Sequence, residues 1–198
     1  MYYYASRSMA IPVFFTILGI IFTTSAGFLL HFLFQWSTGV PAAALFSAVN
    51  ESIWEHLKLL YFPVLLYTIL EVSVYTKKIP GFLYARTLAL LTALLFIIAG
   101  FYTYTGVVGK HYLWADLALF FFSVLITFIL TVYIQKWRRR LPARTMAAAL
   151  ILFSATALFF IFTFYPPHIG LFMDPASGIY GMPEQTRLES YLGKKLFL

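Results

Sequence analysis

Five long apolar runs separated by short polar connections set the pattern of this chain. Residues 12–34, 57–76, 83–104, 112–135 and 143–165 are almost continuously apolar, without the alternation that marks a half-buried strand. Each run holds about 20–24 residues, close to the helix length that crosses a hydrocarbon core of about 30 Å. Lipid tolerates only helices and closed barrels, because the backbone must satisfy its own hydrogen bonds there, and unbroken apolarity selects helices. The expected fold is all-α: a polytopic transmembrane helical bundle of five spans in one integral membrane domain, residues 1–198, with a tail over 166–198.

The connections refine this outline. Ser37 or Thr38 can cap a helix in which Pro41 occupies the first turn, where a missing N–H costs little. A helix running on from Ala43 to Thr76 would be about 51 Å long at 1.5 Å per residue, much more than the hydrocarbon requires. Pro63 is the expected kink, and residues 43–56 are expected to lie in the interface or to re-enter between helices. Pro80-Gly81, Gly106 with Gly109, and Pro142 mark the later turns, and Pro166-Pro167 ends the last span. Leu188, Leu192 and Leu196 recur at helical spacing and predict a short amphipathic helix lying on the membrane surface. The tyrosine-rich residues 1–11 read as an interfacial anchor.

Composition agrees with membrane residence: 62% of the residues are hydrophobic and only 11% charged. The first apolar run is too long for a cleavable signal, and Gln35-Trp36-Ser37-Thr38-Gly39 shows no small-residue cleavage pattern. Without cysteine, the chain has no disulfides, thiolate ligands or thiol nucleophiles. The net charge of +7 follows the membrane and does not indicate nucleic acid. Arg7, Lys77, Lys78, Arg86, Lys136, Arg138, Arg139, Arg140 and Arg144 fall on one side of a five-span topology. The positive-inside rule then places the amino terminus in the cytoplasm and the tail outside, with the bilayer of an inner or plasma membrane as the expected partner.

Candidate chemistry is concentrated in Asn50-Glu51-Ser52-Ile53-Trp54-Glu55-His56-Leu57-Lys58, at the mouth of the second span. Ionisable groups are costly in lipid and are therefore read as functional candidates. If the stretch is helical throughout, Glu55, Lys58, Ser52 and His56 lie about 40°, 340°, 100° and 140° around the axis from Glu51, on one broad face. Glu51 and Glu55 then repel unless a cation, a proton or Lys58 intervenes. All four histidines, His31, His56, His111 and His168, fall at the extracytoplasmic end of the spans, as do six of the seven acids. Asp116 enters the fourth span about 7.5 Å beyond His111 by helical rise. Glu71 stands apart at the inner end and is expected to pair with Lys77, Lys78 or Arg86. The purely structural alternative makes Glu51 and Glu55 partners of the helix dipole, pairs Lys58 with Glu55 and sets Trp54 at the interface.

These groups admit three kinds of chemistry. Histidines and carboxylates suit a divalent metal such as zinc, with His56, His111, Asp116, His168 and His31 as candidate ligands and Glu51 or Glu55 as general base. The same groups can carry protons or cations through a transporter. Ser52 and His56, four residues apart, form a possible nucleophile pair for which no oxyanion hole is identifiable.

The motif Asn50-Glu51-Ser52-x-Trp54-Glu55-His56-x-Lys58, with Pro63, Tyr165-Pro166-Pro167-His168 and Leu171-Phe172-x-Asp174-Pro175, resembles an uncharacterised family of small bacterial integral membrane proteins. That resemblance implies membrane residence and a bacterial source, and no activity. Ser52-x-x-x-His56 with Asp116 in a later span resembles part of the Ser, Asp and His set of the CREST membrane hydrolases. Those proteins have seven spans and a carboxyl-terminal HxxxH pair, and this chain has neither. The expected function is a metal-dependent membrane hydrolase acting on a lipid or envelope substrate, with an ion-coupled transporter or a non-catalytic scaffold as alternatives.

Overall fold

The computed structural model describes residues 10–74, 81–137 and 142–182. Their order is α1 (Ala10–Trp36), α2 (Pro41–Ala44), α3 (Ile53–Val74), α4 (Phe82–Val108), α5 (Leu113–Trp137), α6 (Pro142–Phe164) and a single 3-10 turn, Gly170–Phe172. No strand occurs among the described residues, and the five long helices are each long and apolar enough to cross a membrane. The five-span all-α bundle follows, in a multi-pass membrane protein. The tyrosine-rich leader, Lys77, Lys78, Arg138 to Arg140 and the leucine pattern of the tail lie outside the described residues.

The second span departs from the expected continuous helix. Leu45–Ser52 is not helical, and α3 begins at Ile53, four residues before the expected start. Ser52 explains the boundary: its Oγ accepts the Glu55 backbone N–H at 3.4 Å, which is the N-cap bond of a Ser-x-x-Glu sequence. Asn50 prepares the entry, since its Oδ1 accepts the Ser52 N–H at 2.9 Å. Pro63 is accommodated inside α3. In the segment between α2 and α3, Ser47, Ala48, Val49 and Ser52 are buried while Phe46 and Glu51 are exposed.

α3 is the central helix: in its most apolar 18-residue stretch 61% of the residues are buried, against 17% for the first span and 22% for the fifth. In lipid no hydrophobic force draws helices together, so packing and buried polar contacts must hold the bundle. Those contacts radiate from α3. Tyr61 donates its hydroxyl to the Leu152 carbonyl at 2.6 Å, fixing α6, and Tyr67 donates to the Phe15 carbonyl at 2.6 Å, fixing α1. Arg86 on α4 donates to Glu71 at 2.8 Å in a buried ion pair, so Arg86 is the partner of Glu71 among the described residues. The same guanidinium lies 4.3 Å from the Phe128 ring centroid, a cation–π contact with α5.

Two glycines set the register of α1. A Cβ on Gly19 would collide with Phe128 and lie 2.6 Å from Tyr67; one on Gly27 would lie 2.6 Å from Phe120 and 2.7 Å from the Leu59 carbonyl oxygen. An advance of eight residues along α1 is matched by eight residues back along both α3 and α5. α1 therefore runs antiparallel to both and packs so closely at Gly19 and Gly27 that neither position has room for a Cβ.

Candidate functional site

The polar stretch after α2 separates into two clusters. The first is a lock. Lys58 Nζ lies 2.6 Å from Glu55 Oε2 with both side chains essentially fully buried, and it also donates to the Ala44 carbonyl at 2.8 Å and to Thr163 Oγ1 at 3.0 Å. Glu55 Oε2 accepts the Val49 N–H at 3.0 Å. One ammonium thus ties α3 to α2 and α6, while its carboxylate ties down the loop between α2 and α3. These contacts meet the demand that a buried charge be paired and its remaining sites filled.

The second cluster faces the other way and is open to solvent. Glu51 precedes the N-cap, so it leaves the helical face that Glu55 occupies; its side chain is 53% exposed against 2% for Glu55. Glu51 Oε2 lies 3.4 Å from His56 Nε2, in the first turn of α3. His31, near the end of α1, places its ring 5.4 Å from the His56 ring. One donor atom from each of His31, Glu51 and His56 lies within 4.8 Å of the others.

The hydrogen bonding of His56 decides what this cluster can bind. Its Nδ1 is 2.9 Å from the Ser52 carbonyl oxygen, an atom that only accepts, so Nδ1 carries the proton. A neutral His56 then presents the lone pair of Nε2 toward Glu51 and His31. A backbone carbonyl holding one imidazole nitrogen while the other is offered to a metal is a recurrent arrangement around bound metals. Zinc at about 2.0–2.1 Å from N and O donors sets ligand atoms about 3.3 Å apart in a tetrahedron. The Glu51–His56 separation already has that value. The widest separation in the set needs at most about 1.5 Å of adjustment on the same geometry, within reach of the half-exposed Glu51 side chain.

Without a metal, Glu51 is held below the ordinary carboxyl range, chiefly by the hydrogen bond it accepts from protonated His56, whose Nε2 then carries a proton as well; burial opposes this, and His56, His31 and His111 add favourable charge. The last of these belongs to a neighbouring group at the start of α5. His111 Nδ1 lies 3.5 Å from Asp116 Oδ2, and Tyr104 of α4 donates its hydroxyl to Asp116 Oδ1. Asp116 is near enough to His56 for their charges to interact.

Of the sequence candidates, His31, Glu51 and His56 come together, and His111 with Asp116 forms a second pair beside them. His168 lies apart, its ring 4.7 Å from that of Tyr180. Ser52 uses its hydroxyl as the helix cap and its carbonyl as the His56 acceptor. Glu55 belongs to the Lys58 lock. Trp54 is half-buried, its ring 4.6 Å from that of Phe159 and 4.8 Å from that of Phe172. Sequence reasoning missed Tyr104, Thr163 and Gly27, and only Gly27 left a signal, as a small residue in a long apolar span one turn before His31.

The tail braces the site. Asn50 donates its Nδ2 to the Gly181 carbonyl at 2.8 Å, and Asp174 closes a tight loop by accepting the Ala176 N–H at 2.8 Å. A Cβ on Gly181 would meet Pro166 and the Thr163 carbonyl at 3.0 Å, so the tail lies close against the end of α6.

Comparison with curated proteins and with solved structures returned no match. The sequence model of a family of unknown function, DUF6512, matches residues 4–182, and the chain belongs to that family.

Proposed function

We propose that this member of a family of unknown function is a divalent-metal-dependent membrane hydrolase acting on a lipid or envelope substrate. The carrying observation is the convergence of His31, Glu51 and His56 donor atoms within 4.8 Å, with the His56 tautomer set by Ser52. Two imidazoles and one carboxylate form a three-ligand set that leaves a position for water on zinc or a related ion. A divalent ion held by these residues would lower the pKa of a bound water and so supply a nucleophile near neutral pH. Glu51 serves in this scheme as a ligand. The exposed side of the site lies where α1 ends and α3 begins, the depth at which an amphiphile in the bilayer presents its head group. The setting is a bacterial inner or plasma membrane with the site facing outward.

Transport has less support. Glu71, the acid at the opposite end, is engaged by Arg86. The buried hydroxyls of Ser123, Thr127 and Thr131 each donate to a carbonyl one turn earlier on α5, which leaves them no free proton to relay.

The test is hydrolysis of a panel of long-chain nitrophenyl esters and phosphoesters by the full-length protein in nanodiscs. Turnover that a chelator removes, zinc restores and Glu51→Gln abolishes is the expected result. Chelator-insensitive turnover, or none across the panel, counts against a metal hydrolase.

A further inference from the structure

We infer that Asp116 is the proton acceptor for the water at the open position of the His31, Glu51 and His56 site, and that Tyr104 and His111 are its positioning residues. The inference rests on the metal proposal above. Its geometric basis is the helix register. Gly27 marks the point where α1 meets Leu59 of α3 and Phe120 of α5. One turn from that crossing, toward the end of the bundle that holds the site, α1 carries His31, α3 carries His56 and α5 carries Asp116. The contact between the His31 and His56 rings confirms the register for two of the three helices. The third is joined to them by charge: Asp116 acts on His56, and His111 acts on Glu51.

Elimination leads to the same residue. Glu55 is committed to Lys58 and Val49. Asp174 is turned into its own loop, where its Oδ1 accepts the Ala176 and Ser177 N–H groups. Glu71 is bound to Arg86 at the far end. Glu51 is taken as a ligand. Asp116, whose charge acts on His56, is the carboxylate that remains among the described residues.

Its two oxygens have different surroundings. Oδ1 accepts the Tyr104 hydroxyl, and that oxygen in turn accepts the Tyr112 N–H at 3.4 Å, so the carboxylate is held on one side. Oδ2 lies 3.5 Å from Nδ1 of the half-exposed His111, which orients it and leaves room for a second contact on that oxygen. The charged and titratable groups that act on Asp116 are His111, Tyr104 and His56, and the nearby Lys110 ammonium lies 4.9 Å from the Tyr112 ring centroid.

In the step assigned to Asp116, the water oxygen bonds to the carbonyl or phosphoryl centre and its proton passes to Oδ2. As the bond to the leaving group breaks, that proton moves to the leaving atom and Asp116 is again a carboxylate. One bond forms, one breaks, and no redox partner is needed.

Cobalt(II) substitution tests this without a known substrate. Full-length protein in detergent is loaded with Co²⁺, and its visible spectrum is titrated with pH to follow ionisation of the bound water. Asp116→Asn should retain Co²⁺ and lower the midpoint by about one pH unit, because a neighbouring negative charge favours the un-ionised water. Tyr104→Phe keeps the carboxylate, strips it of a donor and should raise the midpoint. A Co²⁺-loaded Asp116→Asn protein with an unchanged midpoint overturns the assignment; if that variant does not fold, an unchanged midpoint in Tyr104→Phe does so. Failure of the wild type to bind Co²⁺, or equal binding by His56→Ala, overturns the metal proposal itself and this inference with it.

Discussion

Replacing Lys58 by Met removes the cation from the buried lock while keeping most of the side-chain volume. Three interactions end: the 2.6 Å pair with Glu55, the 2.8 Å bond to the Ala44 carbonyl and the 3.0 Å bond to Thr163 Oγ1. Glu55 keeps only the Val49 N–H among these contacts. It must then remain charged without a cation or fold with a proton bound. At pH 7 the second route costs about 3–4 kcal/mol, from the gap between ambient pH and an ordinary Glu. Each orphaned acceptor adds about 1 kcal/mol. The expected loss is about 5–6 kcal/mol, at the upper end of what breaking a buried ion pair costs. Lys58→Met with Glu55→Gln removes both charges, lets Gln accept from Val49, and should recover most of it. Equilibrium unfolding in mixed micelles at neutral pH measures both variants. A single variant that loses less than about 1 kcal/mol, or a double variant no better than the single, would refute the reasoning.

Four further outcomes follow from the geometry. Gly27→Ala should cost about 1–3 kcal/mol and weaken metal affinity, because the new Cβ meets the Leu59 backbone oxygen and pushes His31 from His56; unchanged thermal stability and affinity would contradict the crossing. Glu71→Ala should destabilise by about 3–5 kcal/mol in the same unfolding assay, since Arg86 is left buried without its carboxylate, and Arg86→Met added to it should restore part of the loss. In metal-free protein, the depressed Glu51 favours the fold above its unfolded-state pKa and loses that effect as pH falls through its lowered value. The difference in melting temperature between wild type and Glu51→Gln should accordingly close on acidification; a difference that widens contradicts the His56 contact. A reporter fused after Arg140 should read cytoplasmic, and an extracytoplasmic signal would invert the proposed orientation.

The spans were legible because length and apolarity in lipid leave one solution. Each observed helix covers most of its expected run, and the main difference, the start of α3, has a local cause. Treating Asn50 to Lys58 as continuous helix put Glu51 and Glu55 on one face, where they would repel. The Ser52 cap shifts the boundary between them, and the two carboxylates then diverge, one into the Lys58 lock and the other toward His56. The Ser-x-x-Glu spacing was present in the sequence as a helix-start signal. The assembly of His31 with His56 was not readable in the same way. It depends on the register between α1 and α3, which is fixed by a Gly27 contact with backbone and by Tyr67 reaching the Phe15 carbonyl. Such tertiary contacts leave no periodic trace in one sequence. The placement of His168 against Tyr180, away from the cluster, depends likewise on how the tail folds over Asn50 and the end of α6.

The central claim is that His31, Glu51 and His56 hold a divalent ion, and elemental analysis of the purified protein tests it most directly. Wild type and His168→Ala should each carry about one divalent ion per chain, while His31→Ala, Glu51→Gln and His56→Ala should carry far less, since a three-ligand site does not survive loss of a ligand. Equal metal content in all five proteins, or none in the wild type after growth and purification with zinc, would contradict it.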